Sequence, residues 1–374
     1  MKNNLFIILE QPTPEMKSDK SAAHHKICGK ELINYVKETI DSLGAETVIT
    51  ITDNVSITDI NNYESVVIIS SNAPLIKAET IKRAIIAHSN SKLSAIYAKD
   101  GSFPVLIADK EYFTKCNAAT STELLNNLLS VTPDKFVIED ENELICVTDR
   151  IQLCEAEKIM QKQIIYSHMK NGVTFILPDT TIIEDNVVIG ADTIIYPHVY
   201  IKSGSEIGKN CTIGSQTQIT ASKVCDNVNI QSSVLLECFV DEGTTIGPFA
   251  YIRPNTKVGK KARIGDFVEL KNSNIGDGTK VSHLTYVGDS DVGKRVNFGC
   301  GTVTVNYDGK KKYRTTIGDD CFIGCNTNLV APVTVENGGY TAAGSTITDL
   351  VPENALAIAR ARQVNKTDWK DRRK

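Results

Sequence analysis

The chain has 374 residues, 23% of them charged and 41% hydrophobic, and a formal net charge of −4 at pH 7. This length suffices for two domains with separate hydrophobic cores, and the slightly acidic balance gives no reason to expect nucleic-acid binding. No apolar stretch reaches the length of a signal-peptide core or a membrane span, and none of the ten cysteines forms a CxxC pair. We therefore expect a cytoplasmic protein with reduced cysteines and no membrane or nucleic-acid partner.

Residues 1–148 alternate short apolar stretches with segments of helical periodicity. The patterns predict strands at 5–9, 47–51 and 66–70, and helices at 30–43, 78–88 and 122–130. A β-α order of this kind predicts a parallel sheet flanked by helices, which makes residues 1–148 a Rossmann-like α/β domain. Ligands of such domains bind at the carboxyl ends of the strands.

The turns at that edge lack the residues that bind a nucleoside triphosphate. The first turn, residues 10–15, contains two prolines and two glutamates but no glycine. Its backbone N–H groups cannot all point at phosphates, and its acids would repel them. The second turn, residues 71–74, has no carboxylate to bind a metal ion.

A helix is predicted from Asp149 to about Lys170, with Asn171 and Gly172 as its stop, and we assign residues 149–175 as a linker. Isoleucine then recurs every six residues from Ile183 to Ile219. Neither a helix nor a two-faced strand has this period, whereas a parallel β-helix of three short strands per coil does. The period resumes at 246–270 and 317–329, which predicts a β-helix over residues 176–359.

The pattern of the β-helix has three interruptions. Register breaks are predicted near Ala221 and Glu237, and residues 306–312 are predicted to form a loop that leaves the coil. After the β-helix, residues 360–374 carry seven Lys or Arg and two Asp. This basic tail is either a solvated end or a segment that contacts phosphate.

Polar residues stand out in the β-helix around residues 281–289. His283 lies there, and coils of 18 residues would stack Arg253, Lys271 and Asp289 in one column at about 4.8 Å per coil. Two stacked cations with no acid between them repel each other unless they hold an anion, and phosphate is the obvious candidate. A further cation and hydrogen-bonding side chains occur nearby along the chain, namely Lys312, Tyr286, Asn297, Asn306 and Tyr307.

Residues 246–374 resemble the acetyltransferase half of a known bifunctional family, N-acetylglucosamine-1-phosphate uridylyltransferase/glucosamine-1-phosphate N-acetyltransferase. The resemblance rests on IGPF at 246–249, RP at 253–254, FVELK at 267–271, HLTY at 283–286, NYDG at 306–309 and NALA at 354–357. It implies a left-handed β-helix, a homotrimer with active sites between subunits, and acetyl-CoA as the donor, with no metal required.

The resemblance also implies roles for individual residues. His283 matches the catalytic base of the family. The residues that match its sugar-phosphate site are Arg253, Lys271, Tyr286, Asn297 and Lys312. The residues that fall at its acetyl-CoA site are Cys300, Asn306, Tyr307, Cys325, Ala343 and Arg360, of which Cys300 and Cys325 replace small Ala and Ser residues.

Residues 1–148 resemble the uridylyltransferase domain of the family only in pieces, at 25–30 and 72–76. The position of the metal-binding Asp is occupied by Asn72, and that of the second metal ligand falls at about Thr148. The domain is also shorter than that of the family. We interpret it as a degenerate nucleotidyltransferase fold that has lost uridylyltransferase activity.

The leading hypothesis is an acetyl-CoA-dependent N-acetyltransferase that acts on glucosamine-1-phosphate in UDP-N-acetylglucosamine biosynthesis. A second hypothesis keeps this chemistry but changes the acceptor to another amino sugar or a sugar nucleotide. A third, a non-catalytic regulatory paralogue, predicts damage in both halves, whereas the substitutions occur in the first half only. A zinc-dependent hydratase would need several histidine ligands, and the β-helix offers only His198 and His283.

Overall fold

The structure is a computed structural model that describes residues 3–52, 60, 62–88, 91–97, 103–116 and 118–370. It divides into two compact units, Met1–Ile164 and Ile165–Lys374. The described part of the predicted tail, residues 360–370, is exposed, and the last four residues of the tail lie outside the described part. Among the described residues, every helix is too short or too polar to span a bilayer. The assignment of residues 149–175 as a linker stays a prediction.

The first unit contains a mixed sheet with helices on both faces. Its strands are β1 (Asn4–Leu9), β2 (Lys26–Ile27), β3 (Lys30–Glu31), β4 (Val48–Ile51), β5 (Ser65–Ser70), β6 (Leu93–Ile96), β7 (Val105–Asp109) and β8 (Asp134–Phe136). Its helices are α1 (Leu32–Ser42), α2 (Ala78–Ala87), α3 (Lys110–Lys115) and α4 (Ser121–Leu128), with short 3-10 helices at Pro14–Met16, Ala22–His24 and Glu141–Leu144. Helix α5 (Arg150–Lys170) begins in the first unit and ends in the second. The large sheet has the order β4-β1-β5-β7-β6-β8.

The sheet of the first unit was predicted to be parallel, but it is mixed. Strand β7 runs antiparallel to both β5 and β6. Only residues 97–104 separate β6 from β7, and a parallel crossover needs a dozen or more residues. The predicted helix at 30–43 also begins late, at Leu32, because Cys28 and Gly29 have positive φ and close a β2–β3 hairpin.

The second unit is a parallel β-helix, as the six-residue period predicts. Its aliphatic residues from Ile183 to Leu329 at the predicted positions are buried inside the coil. Consecutive strands of a face pair in parallel from coil to coil, and the described residues form three faces of ten, nine and eleven strands. One large apolar residue per strand therefore fills the common interior.

The strands are as follows. The first face contains Ile182–Ile183, Tyr200–Ile201, Gln218–Thr220, Val234–Leu236, Tyr251–Ile252, Glu269–Lys271, Tyr286–Gly288, Val303–Val305, Asn328–Val330 and Thr346–Ile347. The second contains Val188–Ile189, Glu206–Ile207, Lys223–Val224, Phe239–Val240, Lys257–Val258, Asn274–Ile275, Ser290–Val292, Thr315–Ile317 and Val333–Val335. The third contains Thr174–Phe175, Ile194–Ile195, Thr212–Ile213, Asn229–Ile230, Thr245–Ile246, Arg263–Asp266, Lys280–His283, Asn297–Phe298, Phe322–Ile323, Tyr340–Thr341 and Leu356–Ala357.

Apart from the 306–312 loop, corners between faces come in two lengths. A residue in the left-handed conformation occurs at corners of both lengths, and the inward residues are six apart at most corners but five apart at the short ones. The predicted breaks at Ala221 and Glu237 are two of these, with φ of 43° and 42°. Asn272, with φ of 45°, forms another that the sequence did not reveal. Coils that contain such a corner are shorter than 18 residues, which alters the columns near the candidate site.

Candidate active site

His283 belongs to a straight column of side chains at the corner after the third face. Strand pairing aligns Asp266 with His283, and the same register continues through the pairs Val281–Phe298, Phe298–Ile323 and Ile323–Thr341. The members of this His283 column lie two positions after Ile264, Val281, Phe298, Ile323 and Thr341. They are Asp266, His283, Cys300, Cys325 and Ala343. The residue after each member has positive φ, so every coil turns this corner in the same way.

Three small residues thus follow His283 along the stack, at about 4.8 Å per coil. Cys300 is half-buried and Cys325 is exposed. Together with Ala343 they form a line of small side chains that begins next to His283 and extends over three coils. The structure therefore brings three of the predicted donor-site residues into one line with the predicted base.

Asp266 holds the imidazole of His283. The carboxylate Oδ1 lies 2.7 Å from Nδ1 of His283, whose side chain is 56% exposed. The hydrogen bond with His283 is the main cause that lowers the pKa of Asp266, so the carboxylate is anionic at neutral pH. An Nδ1–H donated to this anion leaves Nε2 with a lone pair that faces outward and can accept a proton.

Asp266 is a residue that the sequence analysis missed. It lies 17 residues before His283, because the short corner at Asn272 falls between them. A fixed count of 18 would have paired His283 with Gly265 instead. The detectable signal was an acid at a position that other coils fill with Pro248, Cys300 or Cys325.

We predict that Asp266→Asn lowers kcat by about 10- to 100-fold, the usual effect of removing a group that orients a functional histidine. KM for both substrates should change little, because Asp266 would act only through His283. Steady-state kinetics of acetyl transfer measure both parameters. Asp192→Asn, an exposed aspartate with positive φ in a distant coil, is the matched control. A pure KM effect in D266N would contradict the orienting role.

Of the three residues that were predicted to stack in one column, Arg253 and Lys271 do so and Asp289 does not. Arg253 follows Ile252, which pairs with Leu270, so Arg253 and Lys271 are stacked as predicted. Lys271, however, pairs with Gly288 and not with Asp289, because the corner at Asn272 shortens this coil to 17 residues.

The expectation that no acid separates these cations is also wrong. Arg253 donates from Nη1 to Oε1 of Glu269 at 2.7 Å, and Nζ of Lys271 lies 3.8 Å from Oδ2 of Asp289. The positive charge is nevertheless crowded. The neighbouring Lys312 is the main cause that lowers the pKa of Lys271, and burial adds to it. A bound anion would relieve this repulsion.

Asp289 is the buried anchor of this cation cluster. Burial raises its pKa, but hydrogen bonds from Asn272 and Asn306 and the charges of Lys271 and Lys312 outweigh burial, so its pKa lies below the ordinary value. The amide of Asn306 donates to Oδ2 of Asp289, and that of Asn272 donates to Oδ1 at 2.6 Å. Asn306, predicted at the donor site, therefore fixes the start of the 306–312 loop beside Lys271.

The other predicted residues lie at separate places on the β-helix. The hydroxyl of Tyr286 lies over Gly288, the partner of Lys271, so it reaches the cation column. Asn297 lies on the third face in register with Lys280 and Phe322. The remaining two are exposed, Tyr307 in the predicted loop and Arg360 just after the last strand. The described chain does not by itself unite these residues around His283.

The first unit has a cavity of about 240 Å³ at the carboxyl ends of β1 and β5. Its polar lining is neutral and consists of Gln11, Ser70, Asn72 and Thr148. The amide of Asn72 donates to the carbonyl of Val147 at 2.8 Å, and Thr148 donates from N and Oγ1 to Gln152 at 2.7 and 2.8 Å. These groups are thus occupied within the unit. The described residues contain no cluster of three or more His, Cys, Asp or Glu that could hold a metal ion.

The fold and the column define the class of protein. Residues 186–221 match the family model of the bacterial transferase hexapeptide (six repeats), and residues 314–349 match the hexapeptide repeat of succinyl-transferase. The chain is therefore a transferase of the hexapeptide acyltransferase class, built on a left-handed parallel β-helix.

Similar proteins identify the family. The bifunctional protein GlmU of Clostridium botulinum (strain ATCC 19397 / Type A) is 39% identical over 452 aligned positions, which cover 100% of this chain and 99% of that protein. GlmU of Clostridium beijerinckii is 40% identical over 436 positions and 96% of each chain. GlmU of Acetivibrio thermocellus is 53% identical over 232 positions, 62% of this chain and 50% of that protein. The chain belongs to the GlmU family, as its β-helix motifs predict.

The aligned length also compares the sizes of the two chains. The 452 positions aligned with the Clostridium botulinum protein exceed the 374 residues of this chain. That relative therefore contains segments that this chain lacks.

Proposed function

We propose that this protein transfers the acetyl group of acetyl-CoA to the 2-amino group of glucosamine-1-phosphate and so forms N-acetylglucosamine-1-phosphate for UDP-N-acetylglucosamine biosynthesis. The observation that carries the proposal is the Asp266–His283 pair at one end of a line of small residues, which would form the groove for the donor. Membership of the GlmU family and of the hexapeptide acyltransferase class supports the chemistry.

The reaction needs a base, a donor groove and a place for the sugar phosphate. The amine nitrogen attacks the thioester carbonyl, Nε2 of His283 accepts the proton that the nitrogen loses, and the C–S bond breaks to release the CoA thiolate. The same proton can then neutralise the thiolate. The column from Cys300 to Ala343 would hold the pantetheine arm, so that the thioester lies beside the imidazole.

Arg253, Lys271 and Lys312 would hold the phosphate of the acceptor. These three cations face two carboxylates, Glu269 and Asp289, so the cluster has an excess of positive charge. A phosphate accepts charge-assisted hydrogen bonds from such groups, which fixes the orientation of the sugar. The cluster favours a phosphorylated acceptor over a neutral amino sugar. A sugar nucleotide stays an alternative because it also carries phosphate.

The test is an acetyl-CoA-dependent thiol-release assay with glucosamine-1-phosphate, glucosamine and a UDP-linked amino sugar as parallel acceptors. We expect turnover with glucosamine-1-phosphate and little with glucosamine. Preferential turnover of the sugar nucleotide would select the alternative acceptor. Absence of thiol release with every acceptor would support a non-catalytic paralogue.

We predict that Lys271→Ala raises KM for glucosamine-1-phosphate by about 10- to 100-fold, because a hydrogen bond to a charged group contributes about 1.5–3 kcal/mol. Its effect on KM for acetyl-CoA should be small. Initial rates at varied concentrations of each substrate separate the two constants. Lys257→Ala, an exposed lysine on the second face, is the control. Equal increases in both KM values would show that Lys271 does not act through the phosphate.

We also expect a homotrimer. The residues predicted at the sugar and donor sites do not all meet within one described chain, and a ladder of apolar side chains stays exposed next to the His283 column. Phe249 and Phe267 are 55% and 57% exposed and stack at 5.4 Å between ring centroids, and Leu284 follows them at 57%. Light scattering should give three times the chain mass of 40.9 kDa. A stable monomer at assay concentration would contradict a site shared between subunits.

A further inference from the structure

Two cysteines of the His283 column, Cys300 and Cys325, are direct neighbours between coils. Gly299 donates from N to the carbonyl of Ile323 at 2.7 Å, and Asn326 donates from N to the carbonyl of Cys300 at 2.8 Å. These backbone bonds hold the two cysteines in register at the strand spacing of about 4.8 Å. Disulfides join Cα atoms that are about 4.4–6.8 Å apart and Cβ atoms that are about 3.5–4.5 Å apart, so the Cα spacing suits a bond once the two side chains lean slightly toward each other.

The two cysteines also share their backbone conformation and are accessible. Each precedes a residue of positive φ, Gly301 at 75° and Asn326 at 54°, so both side chains leave the corner in the same direction. Cys300 is half-buried and Cys325 exposed. The thiols inside the coil differ from them. Burial raises the pKa of Cys238 to about 11 and also raises that of Cys321, which makes those thiols unreactive.

We propose that Cys300 and Cys325 form a redox modification site, in which a peroxide converts the two thiols into a reversible disulfide. The sulfur of one cysteine attacks the peroxide, its O–O bond breaks, and a sulfenic acid and one water form. The sulfur of the second cysteine then attacks the sulfenic sulfur and displaces the hydroxyl as a second water. Two thiols lose two electrons and two protons, and the peroxide is reduced to two waters.

The disulfide would change the proposed donor site, the line of small residues that begins next to His283. It would form between the first and second small residues of the column after the imidazole, where the pantetheine arm of the donor would lie. The disulfide would alter the surface on which the pantetheine arm would lie and would link two coils covalently. Donor binding would therefore be lost until a reductant restores the thiols. This effect on turnover rests on the proposed function, whereas formation of the disulfide does not.

The experiment treats the full-length protein with hydrogen peroxide, blocks the remaining thiols with iodoacetamide and analyses tryptic peptides by mass spectrometry. Cys154, which is exposed on α5, reports the oxidant dose. We expect the peptide with Cys300 to be joined to the peptide with Cys325, and acetyl transfer to be lost and then restored by dithiothreitol. The second peptide also contains Cys321, so a Cys325→Ser variant is needed to identify the bonded cysteine.

Three variants complete the test, each compared with its own untreated activity. Cys300→Ala and Cys325→Ser should show no joined peptides and keep their activity after peroxide, whereas Cys154→Ser should respond like the wild type. The inference is overturned if no joined peptides form at a dose that oxidises Cys154, or if Cys300→Ala is inactivated as strongly as the wild type. If the untreated wild type transfers no acetyl group, the proposed function fails while the peptide analysis still decides whether the modification site exists.

Discussion

Replacing His283 by alanine is expected to lower turnover of acetyl transfer by roughly two to four orders of magnitude, the usual range for loss of a general base. The amine of the acceptor must lose a proton as it attacks the thioester, and in the proposed mechanism Nε2 of His283 accepts this proton. Asp266 keeps the opposite ring nitrogen in the donating tautomer through the 2.7 Å contact. Affinity for acetyl-CoA should change little, because the imidazole lies at one end of the line of small residues that we propose to hold the donor.

The measurement combines steady-state rates with a direct binding titration of CoA. His198→Asn is the matched control, because His198 is the other histidine of the β-helix and asparagine tolerates its φ of 60°. Both variants should form the same oligomer as the wild type in light scattering. Turnover of H283A near the wild-type rate would show that another group is the base. A large loss of CoA binding would instead place His283 in the donor site.

The first unit is expected to show no measurable uridylyltransferase activity with UTP, Mg²⁺ and N-acetylglucosamine-1-phosphate. Transfer of this kind depends on charge neutralisation and positioning of the phosphates. The turn after β1 continues into the 3-10 helix Pro14–Met16, and proline has no N–H to offer a triphosphate. At the expected metal position Asn72 is neutral, and its amide already donates to Val147. Each loss alone would cost orders of magnitude in rate.

Pyrophosphate release from UTP measures this activity. The comparison is between the full chain with and without the sugar phosphate and a reaction without enzyme. Release that depends on the sugar phosphate would contradict the prediction. In that case Asn72→Ala would test whether the cavity at the ends of β1 and β5 is the site, because a site elsewhere would be unaffected by it.

The interior of the β-helix could be predicted from the sequence because one requirement fixes it. Each strand must place one large apolar residue inside the coil, so Ile183 and its successors repeat at six residues wherever the corners have full length. The first unit was harder to predict. Strands β6 and β7 are short and buried on both faces, so their sequences show no regular alternation of apolar and polar residues. Their antiparallel pairing follows from a short connection and not from residue type.

The candidate site was predicted in part for a similar reason. His283 and the cations stood out because a β-helix wall has few charged or imidazole side chains. Asp266 and Glu269 did not stand out in the same way, because acids are common on protein surfaces and the register is needed to show that these two meet His283 and Arg253. Asp266 meets His283 and Gly288 meets Lys271 because the corner at Asn272 lacks one residue. This corner carries no distinctive sequence signal, so residue counting misplaced the column by one position.

The two corner lengths determine where this fold can accept insertions and deletions during evolution. Full and short corners occur in the same stack without disturbing the strand pairing on either side, as at Ala221, Glu237 and Asn272. A residue gained or lost at a corner is therefore absorbed locally, and the side chains of the site stay aligned. A residue gained within a strand would instead turn an interior side chain toward solvent. Insertions and deletions should thus accumulate at the corners of this fold, and homologous site residues will be separated by different numbers of residues although they occupy the same place.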